Sequence, residues 1–497
     1  MLKNIRIVLA TLVFVLVTLL FLDFTGTAHA WFGWLAKVQL IPAILGLHIA
    51  VFLIFAILTL LFGRVYCSVI CPLGIYQDLV ARIGRRGNKK PYSYSKAKSL
   101  LRYVTLGIFV VAMIAGVSVV VALLDPYAAF GRIANNLLQP LWMWGNNLLA
   151  YFAQRADSYA FYGVEVWVKS AWVFGVAIAT LIVVSILAWR NGRTYCNTIC
   201  PVGTALGFIS RFSLFRIRID SEKCNKCGLC AINCKSSCID AKNYAVDSSR
   251  CVSCMNCIDK CKRGAISFSL PTKSTERVTE SETPTQRDES RRGFITASLL
   301  LTATAARSQV LPKQVKMKMD GGLADILPKQ TPQRATAITP PGSLSYRNFN
   351  NKCTACQLCV SACPNGVLKP SSSLDNFMQP QMSFNHGYCR PECTRCSEVC
   401  PAGAITKIDR AEKSAIQIGH AVWVEERCHS AQGEKKCDNC SMQCPVGAIT
   451  MVDRGFKSPV PMVDTERCIG CGACEYSCPS RPLSAIYVEG HTMHRTI

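Results

Sequence analysis

The sequence predicts a membrane α-helical bundle of four to five spans that carries small α+β modules built around clustered cysteines. Three observations lead there: four long apolar segments early in the chain, basic residues concentrated on one side of them, and 29 cysteines in recurring runs. The 497 residues allow about three domains. The apolar segments cover residues 5–22, 40–62, 104–124 and 168–189, each long enough, or nearly so, for a bilayer core of about 30 Å. The formal charge of +24 is unevenly spread. Residues 82–102 carry Arg82, Arg85, Arg86, Lys89, Lys90, Lys96, Lys98 and Arg102 with no acid, whereas the stretch 125–167, read as a loop, sets Arg132 and Arg155 against Asp125, Asp157 and Glu165. Basic loops stay in the cytoplasm, so the charge is explained by membrane orientation and nucleic acid is excluded as a partner. Residues 27–30, "TAHA", resemble a signal cleavage site. A retained first anchor is expected instead, because four spans after Lys3 and Arg6 keep both basic loops on one side.

The cysteines sort into groups, with Cys238 left over. One pair of runs is Cys224, Cys227, Cys230, Cys234 and Cys251, Cys254, Cys257, Cys261. A second set comprises Cys353, Cys356, Cys359, Cys363; Cys389, Cys393, Cys396, Cys400; Cys428, Cys437, Cys440, Cys444; and Cys468, Cys471, Cys474, Cys478. The spacing C-x2-C-x2-C-x3-C is that of bacterial 4Fe–4S proteins: three close thiolates wrap one cubane and the fourth reaches to the partner cluster. A disulfide framework predicts irregular spacing in a small secreted domain. Zinc needs one tetrahedron rather than paired four-cysteine runs. Six 4Fe–4S clusters are therefore expected. The crossing rule gives Cys224, Cys227, Cys230 and Cys261 to one cluster and Cys251, Cys254, Cys257 and Cys234 to the other, with Cys238 spare or a competitor of Cys234. In the later set, two regular runs flank two modified ones, so the first is expected to pair with the fourth and the second with the third. Short apolar stretches such as "GAISFS" (264–269) and "GAITMV" (447–452) follow the runs as strands, the cysteine run, turn and strand unit of a two-cluster ferredoxin fold.

A further motif, G-R-x-Y-C-x3-C-P-x-G, occurs at 63–74 and 192–203. Cys67 and Cys71, like Cys196 and Cys200, are four apart and can share a helical face, and Pro72 and Pro201 then restart the helix. The repeat predicts two equivalent halves meeting at the cytoplasmic surface. Its four thiols suit a seventh cluster, a pair of dithiols, or a soft metal such as copper. There is no C-x-x-C-H for haem, and only His48 lies inside a predicted span, as a packed polar residue or a quinone contact. No strand is followed by G-x-G-x-x-G, and no P-loop is present. The chain reads as wiring rather than as a terminal reductase.

Residues from about 1 to 270, with four spans, two C-x3-C-P loops and a two-cluster tail, resemble the NapH family of membrane quinol dehydrogenase subunits. Residues from about 285 to 497 resemble the exported NapG and MauM ferredoxin-type families. The resemblance implies a fusion that carries electrons from the membrane quinone pool to a periplasmic reductase or cytochrome. The C-x3-C-P motif is shared with families of copper reduction and metalloenzyme maturation, so metal handling remains the rival. A fusion also accounts for "ESRRGFITASLLLTATAAR" (289–307), a twin-arginine signal in mid-chain built on Arg291 and Arg292. It would pass a folded cargo to the twin-arginine translocase and end in cleavage at "TATA" or in a fifth anchor. The organisation expected is a membrane domain at 1–215, a cytoplasmic two-cluster domain at 216–270, a linker with internal signal at 271–344, and an exported four-cluster domain at 345–497, all on a bacterial inner membrane. Because about 30 Å of hydrocarbon would part the two sets of clusters, quinol is the expected link.

Overall fold

The computed structural model describes residues 2–87, 92–158, 160–270, 318–319, 325–456 and 458–497. The twin-arginine stretch lies outside them. Residues 1–270 and 330–497 form one compact unit, and 271–329 a second. In the second, β5 (Lys318–Met319) pairs antiparallel with β6 (Asp325–Ile326). The segment assigned to a linker at 271–344 is folded from Gln330 onward: Gln330 N donates to Pro482 O, and Arg334 meets the buried Glu475 carboxylate at 2.6 Å.

Four apolar helices form the bundle: α1 (Leu2–Leu22), α2 (Ile49–Phe62), α5 (Ser99–Ala115) and α8 (Ala171–Asn191). Only α1 and α8, among the described residues, are long and apolar enough to cross a membrane. The second and third apolar stretches are each broken. Leu47, with φ 56°, stops one helix at Leu45, and left-handed Gly116 ends α5. At 1.5 Å per residue, the 14 residues of α2 rise only about 21 Å. His48 caps α2 from an exposed position rather than packing inside a span.

The stretch read as a loop at 125–167 is largely helical. Asp125 accepts from Tyr127 N at 3.0 Å and Pro126 occupies the first turn, which starts α6 (Pro126–Ile133). Every residue of α6 is buried, so this segment turns back into the bundle. A long helix, α7 (Gln139–Arg155), follows it.

The two cysteine modules sit at opposite ends of the bundle. At the start of α1, Lys3 pairs with Asp259 at 2.6 Å; just past its end, Arg395 donates to Phe24 O at 3.1 Å. The 21 residues between them rise about 31 Å. The other helices repeat the arrangement. Arg102, on α5, bonds Ser249 Oγ, while a side chain on Gly116 beyond the far end would meet Asn351. Ahead of α8, Lys169 donates to Val360 O, and beyond it Arg193 N donates to Lys235 O.

The inner module pairs β1 (Arg216–Ile219) with β4 (Ile266–Ser269), and β2 (Ile239–Asp240) with β3 (Ala245–Val246). In the outer module the pairs are β7 (Leu368–Pro370) with β8 (Pro380–Met382), β9 (Ile416–Trp423) with β12 (Ile486–Thr496), and β10 (Ile449–Val452) with β11 (Val460–Val463). All are antiparallel ribbons, each too short to stand without the modules they edge.

One carboxylate ties the bundle to the inner module. Asp78, on α4 (Pro72–Gly87), binds Arg193 Nε at 2.6 Å, Arg6 NH1 at 3.1 Å and Lys235 Nζ at 2.5 Å. Burial works against its charge, but Arg193 and Lys235 overcome that and hold the carboxyl well below the usual range. Removing one member of a buried ion cluster strands the others and costs about 3–5 kcal/mol. Asp78→Ala should therefore lower the unfolding transition and expose the junction at Lys235 to limited proteolysis. An unchanged melting profile would show that the three cations do not depend on it.

Candidate metal centres and the four-cysteine site

The cysteine runs share one backbone device. In each C-x2-C-x2-C stretch the residues on either side of the middle cysteine are left-handed: Lys226 and Gly228, Ser253 and Met255, Ala355 and Gln357, Gly470 and Gly472, with φ between 49° and 78°. The reversals keep three successive thiols on one side of the chain. Five of these eight residues are not glycine, and each pays about 1–2 kcal/mol for that conformation. Such strain persists only where the surroundings demand it. A second reversal follows the fourth cysteine: Ser237, Gly264, Gly366, Gly403 and Gly447 all have φ between 50° and 64°. Beyond these turns, backbone N–H groups reach sulfur, as Ala448 N to Cys444 Sγ and Ala485 N to Cys478 Sγ, both at 3.3 Å.

The inner module shows one half of the expected crossing. Cys234 lies within electrostatic reach of Cys254 and Cys257, while Cys230 faces Cys224 and Cys227; Cys261 packs in the same core. Cys238 is buried 3.5 Å from Cys234 and also bonds Cys251. Its hydrogen bond lowers the Cys234 thiol to about 6.

The outer module corrects the expected pairing. Cys400 joins Cys353, Cys356 and Cys359, and Cys363 joins Cys389 and Cys396 beside Cys393. Cys478 stands with Cys428, Cys437 and Cys440, and Cys444 with Cys468 and Cys471 beside Cys474. The first run thus exchanges its fourth cysteine with the second, and the third with the fourth. Short helices make this so: α13 (Leu358–Ala362) packs on α14 (Arg395–Val399), and α15 (Asn439–Met442) on α16 (Ala473–Ser477). The altered spacing of the middle runs reflects local wrapping rather than a choice of partner. Cys389 N donates to Cys471 O at 3.0 Å, which joins the two pairs.

The donor set fits 4Fe–4S clusters. All 29 cysteines are free thiols. Burial and the neighbouring sulfurs push Cys440 and Cys471 up to about 12, so four ionised thiols require a cationic core.

The membrane-side repeat builds a different site. Cys67 lies on α3 (Val65–Val69) and Cys196 on α9 (Thr194–Thr198), whereas Cys71 and Cys200 sit just before α4 and α10 (Pro201–Ile209). Each pair therefore straddles a helix break rather than sharing one face. Cys71 and Cys200 stand at the first turns of α4 and α10, yet burial and the neighbouring sulfurs push both thiols well up, so four thiolates here would need a cationic partner. All four thiols are buried, at 3–4 % exposure, and lie within electrostatic reach of one another. The two arginines of the repeat cross over. Arg64 donates to Cys196 O at 3.2 Å and Arg193 to Cys67 O at 2.5 Å. Gly74 and Gly203 let these contacts close, since a side chain at either would strike the carbonyl of Cys67 or Cys196. Arg64 and Arg193 are functional residues that the sequence reading quoted without assigning a role; their recurrence in the same frame was the available signal.

The four-cysteine site touches both ends of the molecule. Arg64 also donates to Ser249 O at 2.9 Å, two residues before Cys251. On the other side, Tyr195 lies within reach of Cys196 and Cys200 and of Arg132 on α6, which in turn reaches Cys356. Arg132 Nε and NH2 are buried without a hydrogen-bond partner, and the guanidinium lies within reach of Asp125 first and of Cys356 beyond it.

Comparison with known proteins bears on these sites. Residues 45–91 and 171–220, which hold the two C-x3-C-P loops, match a 4Fe-4S binding domain family. Residues 352–404, which hold the first sequential pair of runs, and 435–481, which hold the second from Cys437 onward, match a 4Fe-4S dicluster domain, and 244–267 match a further 4Fe-4S binding domain. The chain is similar to the ferredoxin-type protein NapF of Escherichia coli, 28% identical over 178 residues, which are 35% of this chain and 100% of the relative. It is also similar to the methylamine utilization ferredoxin-type protein MauM of Methylophilus methylotrophus (33% over 166 residues, 31% and 71% of the two chains). The MauM of Paracoccus denitrificans is 32% identical over 169 residues, 31% and 73% of the two chains. No solved structure matches.

Sequential pairing has a countable consequence. Cys353→Ser combined with Cys400→Ser should remove one cluster, about four irons per chain, because both ligands serve the same core. If the first run paired with the fourth, the double variant would lose about eight. Iron and sulfide analysis of anaerobically purified protein distinguishes the two.

Proposed function

Because the chain belongs to the ferredoxin-type 4Fe–4S proteins, which carry electrons, we propose that it is a membrane-bound conduit from quinol to a periplasmic reductase or cytochrome. The reading gives the chain six clusters in its soluble modules and a seventh at Cys67, Cys71, Cys196 and Cys200. One observation carries it: the four-cysteine site lies between the modules and reaches the inner one through Arg64 and the outer one through Tyr195 and Arg132. A cluster there would supply one-electron storage. The protein's own part is to hold the four thiols dry, to cross two guanidinium groups over their loops, and to set Arg132 against Cys356.

The NapH-like half and the exported half would act as one chain on the inner membrane. Basic residues at 82–102 support an inner first module, and Arg291 and Arg292 support export of the outer one. The rival, metal handling through the C-x3-C-P thiols, has less support, because those thiols are buried where a soluble copper carrier has no approach.

Two measurements test the reading. Purified protein should hold about 28 irons per chain, and Cys67→Ser about 24, with its outer clusters still reducible by dithionite but no longer in exchange with the inner pair. Normal exchange in Cys67→Ser would remove the repeat from the path. Separately, a reporter fused behind the outer module should be exported from wild-type cells and retained when Arg291 and Arg292 are both replaced by Lys. Equal export in both would refute the split topology.

A further inference from the structure

We propose that quinol binds in the cavity between α7, α8 and the outer module, beside Cys363, and that electrons enter the outer clusters there. This rests on the conduit reading and adds the place of uptake. The cavity encloses about 720 Å³, within the usual range for a small-molecule site. It lies where α8 begins and where the chain leaves α1 at Phe24, the outer edge of the apolar bundle.

Its lining has two characters. On the flank, Leu141, Trp144 and Val168 are 59 %, 60 % and 64 % exposed, an apolar mouth on the bundle surface through which a lipid-borne tail can pass. At the inner end stand Asn135, Gln139 and Lys169, polar groups tied together because Lys169 Nζ bonds both amide oxygens at 3.1 Å. An occupant that is apolar along its length and polar at its head fits this division. A flat ring fits it further. Trp167 is held by His386 stacked at 4.3 Å and 2° and by Lys369 Nζ 4.8 Å from its ring centre, so its faces are already engaged and it presents a fixed aromatic edge to the cavity.

The same edge borders a cluster ligand. Trp167 lies against Gly366, in the turn that follows Cys363, and Cys363 itself lines the cavity. Cys363 belongs with Cys389 and Cys396. A ring held at the Trp167 edge would thus lie beside the cysteine ligands of an outer cluster, and Tyr388, which also lines the cavity, leads toward Cys471. Oxidation of one quinol to quinone releases two electrons and two protons. The electrons leave one at a time through the 4Fe–4S chain beginning at Cys363, and the protons pass to the exposed carboxylate of Glu165 on the rim and then to water.

The test uses the full chain, anaerobically purified with its clusters, and 2-heptyl-4-hydroxyquinoline N-oxide, a quinol mimic whose fluorescence is quenched on binding. Trp167→Ala should weaken binding about tenfold or more, while Trp167→Phe restores most of it and both keep wild-type iron content. An azidoquinone should label residues lining this cavity. Unchanged binding in Trp167→Ala, or labelling confined to another part of the bundle, overturns this location and leaves quinol as donor. If the mimic fails to bind wild-type protein and menaquinol reduces none of its clusters, the quinol reading itself falls with it.

Discussion

Ionised sulfurs brought together in a buried site repel, and each raises the cost of charging the next. The architecture follows from resolving that repulsion. A cationic iron core turns four mutually hostile thiolates into the centre of a module, and the polypeptide has little else to build with. Helices such as α15 span four residues and β2 and β3 two each, far below what persists alone in water. The inner core is largely Cys230, Cys234, Cys238 and Cys257 with a few isoleucines around them. Metal binding and folding are therefore one event in these modules.

What the sequence made legible was whatever depends on short range. Cysteine spacing fixes the wrap of three thiols, and the apolar stretch after most runs marks its strand, because both are decided within about ten residues; residues 403–408 after Cys400 form none. Pairing between runs is decided by which short helices pack together, and neither α13 on α14 nor α15 on α16 has a local signature. The left-handed positions were only half visible: Gly228, Gly470 and Gly472 announce themselves, whereas Lys226, Met255 and Gln357 adopt the same conformation under tertiary constraint. Helix α6 was hidden for another reason. Its short run, with an arginine inside, reads as an outer loop by charge and length, yet Asp125 and Pro126 were present as a start signal.

The arginine in α6 shows how the bundle uses charge. Arg64, Arg132 and Arg193 are fully buried. Arg193 has Asp78 as its counter-ion and Arg132 faces Asp125, while Arg64 donates to the Ser249 and Cys196 carbonyls beside sulfur. Cations placed in this way offset part of the cost of burying sulfur and would favour the reduced, more negative state of a cluster held there. They couple the structural problem of burying charge to the tuning of potential along the path.

The pairing of β9 with β12 also constrains the order of events in time. Strand β12 follows Cys478, the last cysteine, and its partner β9 was synthesised before the third and fourth runs. Chains emerge and fold from the N-terminal side, so the ribbon that closes this half of the outer module cannot form until every ligand has left the ribosome. The closing of this half of the outer module therefore comes after all eight cysteines of its third and fourth runs have emerged.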